Sequence, residues 1–152
     1  MGGPWRIRRA AVSDAERLVP IERRCFSDPW SVAAFEEILR SPLGLGCVAE
    51  GGGEIRGYLL ARAVAGEGEI LNLAVAPEAR RRGLGGELLQ QGINALAVAG
   101  AREVFLEVRE QNVAAQHLYL RRGFRPVGHR ARYYRNPVDD AIVLRLALPG
   151  GA

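Results

Sequence analysis

The sequence predicts an α+β fold, a mostly antiparallel mixed sheet flanked by helices on both faces, in the order β-α-α-β-β-β-α-β-α-β-β. Three observations predict it. Apolar residues switch repeatedly between helical spacing and short strand-like runs. Glycine and proline mark almost every switch. The stretch Ile70 to Leu89, ILNLAVAPEARRRGLGGELL, sets a buried strand, a proline stop, an arginine-glycine loop and a helix start in immediate succession.

Taken in order, Trp5 to Arg9 reads as an opening strand. Ser13 with Glu16 predicts a capping box, and Ala15, Leu18, Val19 and Phe26 then mark a helix face. Asp28-Pro29-Trp30 breaks that helix. Ser31 caps a second one, with Val32, Phe35, Ile38 and Leu39 at helical spacing, and Ser41-Pro42 ends it. Strands at Gly46 to Glu50 and Ile55 to Val64 flank Gly51-Gly52-Gly53, a hairpin signal, and Gly66 to Gly68 turns the chain into the Ile70 strand. Pro77 cannot donate to a sheet ladder, so that strand stops before it. Leu84, Leu88, Leu89, Ile93 and Leu96 form one helix face, with Gly100 as its C-cap. Val104 to Val108 is another apolar run. Asn112 caps a helix with Ala115, Leu118 and Tyr119 inward, stopped by Gly123. Arg125 to Tyr134 and Ala141 to Leu148 are final strands joined across Asn136-Pro137.

Length and composition bound the function. A chain of 152 residues is read as a single domain spanning residues 1–152. No apolar stretch reaches membrane-span length, and the opening MGGPWR carries neither a hydrophobic signal core nor a myristoylation motif, so a cytoplasmic location and no membrane partner are expected. Cys25 and Cys47 lack metal spacing and sit in apolar surroundings, as reduced core thiols do; with two histidines far from either, no metal is expected. All 21 basic residues are arginine, and the net charge is +4. They are scattered except at Arg80 to Arg82, whereas nucleic-acid binding wants a clustered basic face with aromatics; no direct nucleic-acid contact is expected.

The glycine loop points to an anion. Gly83, Gly85 and Gly86 let the backbone come close to a ligand, and the free N–H groups at the start of the following helix point at it, which suits a pyrophosphate. A P-loop is excluded because the chain has no lysine and no threonine; a Rossmann fingerprint fails because Leu88 stands where its third glycine belongs. What remains is Arg80-Arg81-Arg82-Gly83-Leu84-Gly85, an R-x-x-G-x-G preceded by V-A-P and followed by L-L. It resembles the acetyl-CoA loop of the GCN5-related N-acetyltransferases, the GNAT superfamily, and the element order agrees with theirs along the chain. The resemblance implies acetyl-CoA as cosubstrate, with the guanidinium groups of Arg80, Arg81 and Arg82 beside its phosphates and the backbone of Gly83, Leu84, Gly85 and Gly86 around the pyrophosphate. It also implies that the strand holding Leu73, Ala74 and Val75 splays at a bulge from the Phe105 to Val108 strand. The pantetheine arm enters that gap, and the Val75 backbone polarises the thioester carbonyl.

Acetyl transfer to an amine needs a base, and departure of a thiolate needs an acid. Glu107, in the run Val104 to Val108, is the base candidate, because burial there raises a carboxyl pKa toward the useful range; a strand carboxylate exposed or paired with Arg109 is the plain alternative. Tyr119 is the acid candidate, with a core aromatic beside Leu118 and Phe124 as its alternative. The series Leu106-Glu107-Val108-Arg109, Asn112, Ala115, Leu118-Tyr119 and Gly123-Phe124 resembles that of the RimI branch, the ribosomal-protein alanine N-acetyltransferases. That resemblance makes Glu107 the base, Tyr119 the acid, and Asn112 both a helix cap and a holder of the CoA arm.

Asp28-Pro29-Trp30-Ser31 and Tyr133-Tyr134 with Asp140-Ala141-Ile142 resemble the same branch. They imply that Trp30, Tyr133 and Tyr134 wall a groove for a peptide amino terminus, although all three are equally consistent with core-edge aromatics. The expected partner is a protein or peptide N-terminus, in particular the N-terminal alanine of a small-subunit ribosomal protein. Arg135-Asn136-Pro137-Val138 makes a shorter, less acidic turn than is usual in that branch, so a different peptide or a small amine is the alternative acceptor, and a non-catalytic CoA-binding module the alternative class.

Overall fold

The computed structural model describes residues 5–149; residues 1–4 and 150–152, which include most of the amino-terminal segment read above, lie outside the described residues. Its elements are β1 (Arg6–Arg9), α1 (Ala15–Cys25), α2 (Val32–Arg40), β2 (Gly44–Gly51), β3 (Glu54–Val64), β4 (Glu67–Val75), α3 (Leu84–Val98), β5 (Glu103–Arg109), α4 (Val113–Arg122), β6 (Arg125–Tyr134) and β7 (Asp139–Ala147), in the order expected. Short 3₁₀ turns at Val12–Asp14 and Pro77–Ala79 precede α1 and the glycine loop.

The strands form one seven-stranded sheet ordered β1-β2-β3-β4-β5-β7-β6. Every pairing is antiparallel except β4 with β5. That parallel pairing runs only from Glu67↔Glu103 to Glu69↔Phe105. Beyond it the strands part, and the separation coincides with an irregularity in β4: Leu60 pairs with Asn72 but Ala61 with Ile70, which leaves Leu71 as the extra residue of a bulge. A bulge bends and twists its strand, so the β4 edge from Ile70 to Val75 faces a gap instead of a neighbour.

Alternate strand residues feed two cores. Leu59, Ala61, Val104, Leu106 and Leu144 pack with Leu84, Leu88, Leu89, Ile93 and Leu96 of α3 and Tyr119 of α4. Val48, Tyr58, Leu60 and Ala74 pack on the other face with Leu18 and Ile21 of α1 and Phe35 of α2. The start of α1 differs from expectation. Ser13 lies in the preceding turn and no side chain caps α1; Asp14 accepts from the Ala11 amide at 2.7 Å and takes both arms of the Arg8 guanidinium at 2.9 Å. A charged bidentate pair outweighs a neutral hydroxyl cap, so tertiary pairing sets this boundary instead of the local motif. At α2 the expected cap is present, the Ser31 hydroxyl accepting from the Ala34 amide at 3.2 Å. Among the described residues no helix is long and apolar enough to cross a membrane.

Candidate active site

The gap between β4 and β5 opens into a cavity of about 1000 Å³. Leu73, Glu107, Asn112, Tyr119, Trp30, Tyr133 and Tyr134 all line it, so residues chosen from six separate elements and loops meet on one surface. Ala74 does not join them; it is buried in the α1–α2 core. Nor does Val75, or any residue from Arg80 to Gly86, line the cavity; the Val75 carbonyl accepts from the thiol of Cys25, itself on the cavity wall, at 3.5 Å and from Arg80 Nε at 3.1 Å. The Ala76 amide donates to the Arg56 carbonyl of the β3 side at 2.8 Å, so backbone alternation aims the Val75 and Leu73 groups at the gap.

At the end of β4 the chain turns through Arg81 and Gly83, both at positive φ (64° and 81°), and α3 begins at Leu84 with no side chain capping it. The first N–H groups of the helix are thereby left for a ligand, with the positive end of the helix dipole behind them. A Cβ on Gly85 would meet nothing nearer than Leu118 Cδ2 at 3.5 Å, and one on Gly86 nothing nearer than Leu118 Cδ1 at 4.0 Å. The protein itself therefore tolerates a side chain at either position, and any demand for glycine there comes from what the loop holds. Arg81 and Arg82 are exposed beside the loop, but Arg80 is turned back, donating also to Cys25 Sγ at 3.3 Å.

Glu107 sits on β5 with its side chain 22% exposed. Its surroundings differ from the apolar burial expected: Tyr133 donates its hydroxyl to Oε1 at 3.1 Å, and Arg130 Nε stands 2.6 Å from Oε2. Oε2 is itself buried and accepts no hydrogen bond, so the Arg130 contact is one of charge rather than of aligned N–H and lone pair. Nor does Arg109 pair with Glu107. It donates to the carbonyls of Pro137 and Arg135 at 2.9 and 2.7 Å and lies over the Tyr134 ring at 4.5 Å, bracing the β6–β7 turn. Tyr133 and Tyr134 meet edge to face at 5.0 Å, and burial with the nearby Glu107 charge pushes the Tyr134 phenol up to about 12.

Tyr119 satisfies both of its readings. It is 8% exposed and packs edge to face on Phe124 at 5.8 Å, yet it also lines the cavity. Burial, then the neighbouring Tyr134, holds its phenol well above the ordinary range, so it stays protonated at neutral pH. Asn112 caps α4 as expected, its Oδ1 accepting from the Ala115 amide at 3.1 Å.

Sequence reading missed Glu22. It is 1% exposed and has no cation partner among the described residues; instead its carboxylate accepts from Tyr58 Oη, from Asn72 Nδ2 at 2.8 Å and from the Trp30 amide at 3.0 Å. One side chain thus ties the bulge in β4 to the loop that carries Trp30. The available signal was an acid on the buried stripe Leu18, Ile21, Glu22, Cys25, whose helical spacing marks it as inward. The trio Glu110, His129 and Asp140, with ligand atoms within 4.8 Å of one another, is brought together by the residue just past β5 with β6 and β7 and has no sequence spacing to announce it.

Comparison with known proteins fits this geometry. The profile of the Acetyltransferase (GNAT) family matches residues 15–124. The N-alpha-acetyltransferase RimI of Mycobacterium tuberculosis is 39% identical over 139 residues, covering 88% of this chain and 86% of that protein. The crystal structure of the ribosomal-protein-S18-alanine N-acetyltransferase from Escherichia coli superposes with a TM-score of 0.87 at 30% identity, covering 94% of this chain and 93% of that one. Arabidopsis thaliana NAA60 in complex with acetyl-CoA shares the fold, with a TM-score of 0.85 at 22% identity over 96% of this chain and 99% of the other. A sheet parted at a β4 bulge, an uncapped glycine helix start and a relationship spanning nearly the whole length together place this chain in the GNAT family of acetyltransferases, and it is an acyltransferase.

Proposed function

We propose that the protein is an acetyl-CoA-dependent N-acetyltransferase of protein N-terminal α-amines, with the N-terminal alanine of a small-subunit ribosomal protein as its acceptor, and that residues 1–152 work as a single domain. The observation that carries this reading is the convergence of Glu107, Tyr119, Trp30, Tyr133 and Tyr134 on the cavity that opens from the β4–β5 gap. The relatives named for RimI and for the alanine of ribosomal protein S18 support the acceptor class, and the NAA60 complex supports acetyl-CoA.

The residues divide the work by position. The open start of α3, with Arg81 and Arg82 beside it, receives the phosphates, and the free β4 edge receives the pantetheine arm as an added strand would be received. The Val75 backbone polarises the thioester carbonyl, and Asn112 holds the arm from the far side. Trp30, Tyr133 and Tyr134 bracket the peptide's amino terminus. Glu107 takes a proton from the acceptor ammonium and passes it to solvent; the amine nitrogen attacks the thioester carbonyl, the C–N bond forms as the C–S bond breaks, Tyr119 protonates the departing thiolate, and the second proton of the former amine leaves the new amide nitrogen to restore the Tyr119 phenol. No covalent acetyl-protein stage is needed, because both partners are held at once.

A panel of peptides beginning Ala, Ser, Met or Gly, with polyamines and an aminoglycoside, tests the reading by mass spectrometry after incubation with acetyl-CoA. Transfer to Ala and Ser peptides ahead of the small amines supports it. Preference for the small amines overturns the acceptor class, and no transfer to any of them overturns the catalytic reading.

A further inference from the structure

We propose that Arg130 occupies, in the resting protein, the seat that the acceptor's ammonium takes during the reaction, so that acceptor binding exchanges one cation for another on Glu107. This rests on the reading of Glu107 as the base.

Stripping a buried carboxylate oxygen of every partner is costly, so the seat must be filled in each state of the protein. Here Glu107 Oε2 is buried, accepts no hydrogen bond, and has the Arg130 guanidinium at 2.6 Å, while the Tyr133 hydroxyl covers Oε1. Arg130 is free to leave. Its side chain is 59% exposed, and it stands on β6, the edge strand, just where the register with β7 becomes irregular between Arg130 and Tyr134. Once released it stays over the Tyr133 ring, from which it is already 5.8 Å. The contact is also incomplete. An ammonium that donates a hydrogen bond to Oε2 adds what the misaligned guanidinium lacks, and the exchange runs toward the substrate.

Two consequences follow for the class of ligand. A neutral amine leaves the carboxylate without a counter-charge and displaces Arg130 poorly, so the acceptor seats as an ammonium and gives its proton to Glu107 only afterwards. The acetylated product is a neutral amide. It cannot hold the seat, and the return of Arg130 expels it.

Arg130→Gln removes the competing charge from an exposed edge position. The expected result is a peptide KM lower by about 2- to 5-fold, the worth of a partly exposed ion pair, with the gain in kcat/KM lying in KM. Methylguanidinium chloride should then inhibit this variant competitively against peptide and scarcely affect the unsubstituted enzyme. A KM that is unchanged or raised, at an unchanged melting temperature, overturns the exchange. Calorimetry separates this failure from that of the acetyltransferase reading: methylguanidinium should bind Arg130→Gln but neither the unsubstituted protein nor the double variant with Glu107→Gln, whether or not any acetyl group is transferred. Equal binding to all three contradicts the proposal.

Discussion

Glu107 and Tyr119 are chemically opposite neighbours of one cavity, and each is prepared by what touches it. The carboxylate is kept in reach of solvent and of a cation, whereas the phenol is packed on Phe124 with burial holding its proton in place. Glu107→Gln keeps the shape and the Tyr133 contact but removes the proposed base, so kcat should drop by roughly 10²- to 10⁴-fold in a continuous CoA-release assay. Tyr119→Phe should also slow turnover while calorimetry finds acetyl-CoA affinity preserved, since the ring packing survives. A variant with undiminished kcat at pH 7 would make its residue structural. Both positions stand out in the sequence because they sit in a recognisable series along β5 and α4, and both line the cavity. Arg130 does not stand out: it is one arginine among several on a strand that is almost wholly exposed, and nothing in its neighbours in sequence says that it folds back over β5. Glu22 hid for a different reason, since an acid on an apolar helix stripe signals burial but not which donors will satisfy it.

Among the elements, the glycine loop shows most clearly how sequence order becomes a site. Its position between a strand that must stop and a helix that must start was readable from Pro77 and the leucine spacing, and Gly83 at positive φ supplies the turn. Gly85 is different. With ordinary backbone geometry and room for a Cβ, it is permissive from the protein's side, so Gly85→Val should melt near the unsubstituted protein yet lose acetyl-CoA affinity by calorimetry. Retained affinity would detach the loop from the phosphates. The first helix carries the contrary lesson. Local chemistry at Ser13 and Glu16 suggested a capping box, but Arg8, on a neighbouring strand, captured Asp14 and moved the start. Removing Asp14 strands a partly buried arginine that keeps Glu50 at 3.2 Å as a second partner, so Asp14→Ala should cost about 1–3 kcal/mol in urea unfolding, below the full cost of breaking a buried pair. A loss under a few tenths would show the pair to be incidental.

Across the molecule, the element order followed from periodicity because each strand and helix buries one clean face. The parting of β4 from β5 did not, since a bulge is a matter of pairing register and came into view only through the family resemblance. The sheet also half-buries a titratable group that the proposed chemistry does not use. Burial pushes the Cys47 thiol from 9.0 up to about 11. The unfolded chain ionises first as pH rises, so this contribution is whole below about pH 9 and is lost as pH climbs through 11, by about 3 kcal/mol over that span. Cys47→Ala should flatten that alkaline slope in pH-dependent thermal melts; an identical slope would place the loss elsewhere.

In the proposed function the cavity delivers an acetyl group to a protein's α-amine through Glu107. The most direct measurement uses one peptide that begins with alanine and carries an internal lysine, incubated with acetyl-CoA and either the unsubstituted enzyme or Glu107→Gln, with the acetyl position read by fragmentation mass spectrometry. Acetylation of the alanine nitrogen alone is expected, slowed by at least about 100-fold in the variant. Acetyl on the lysine side chain, or equal rates for the two proteins, would contradict it.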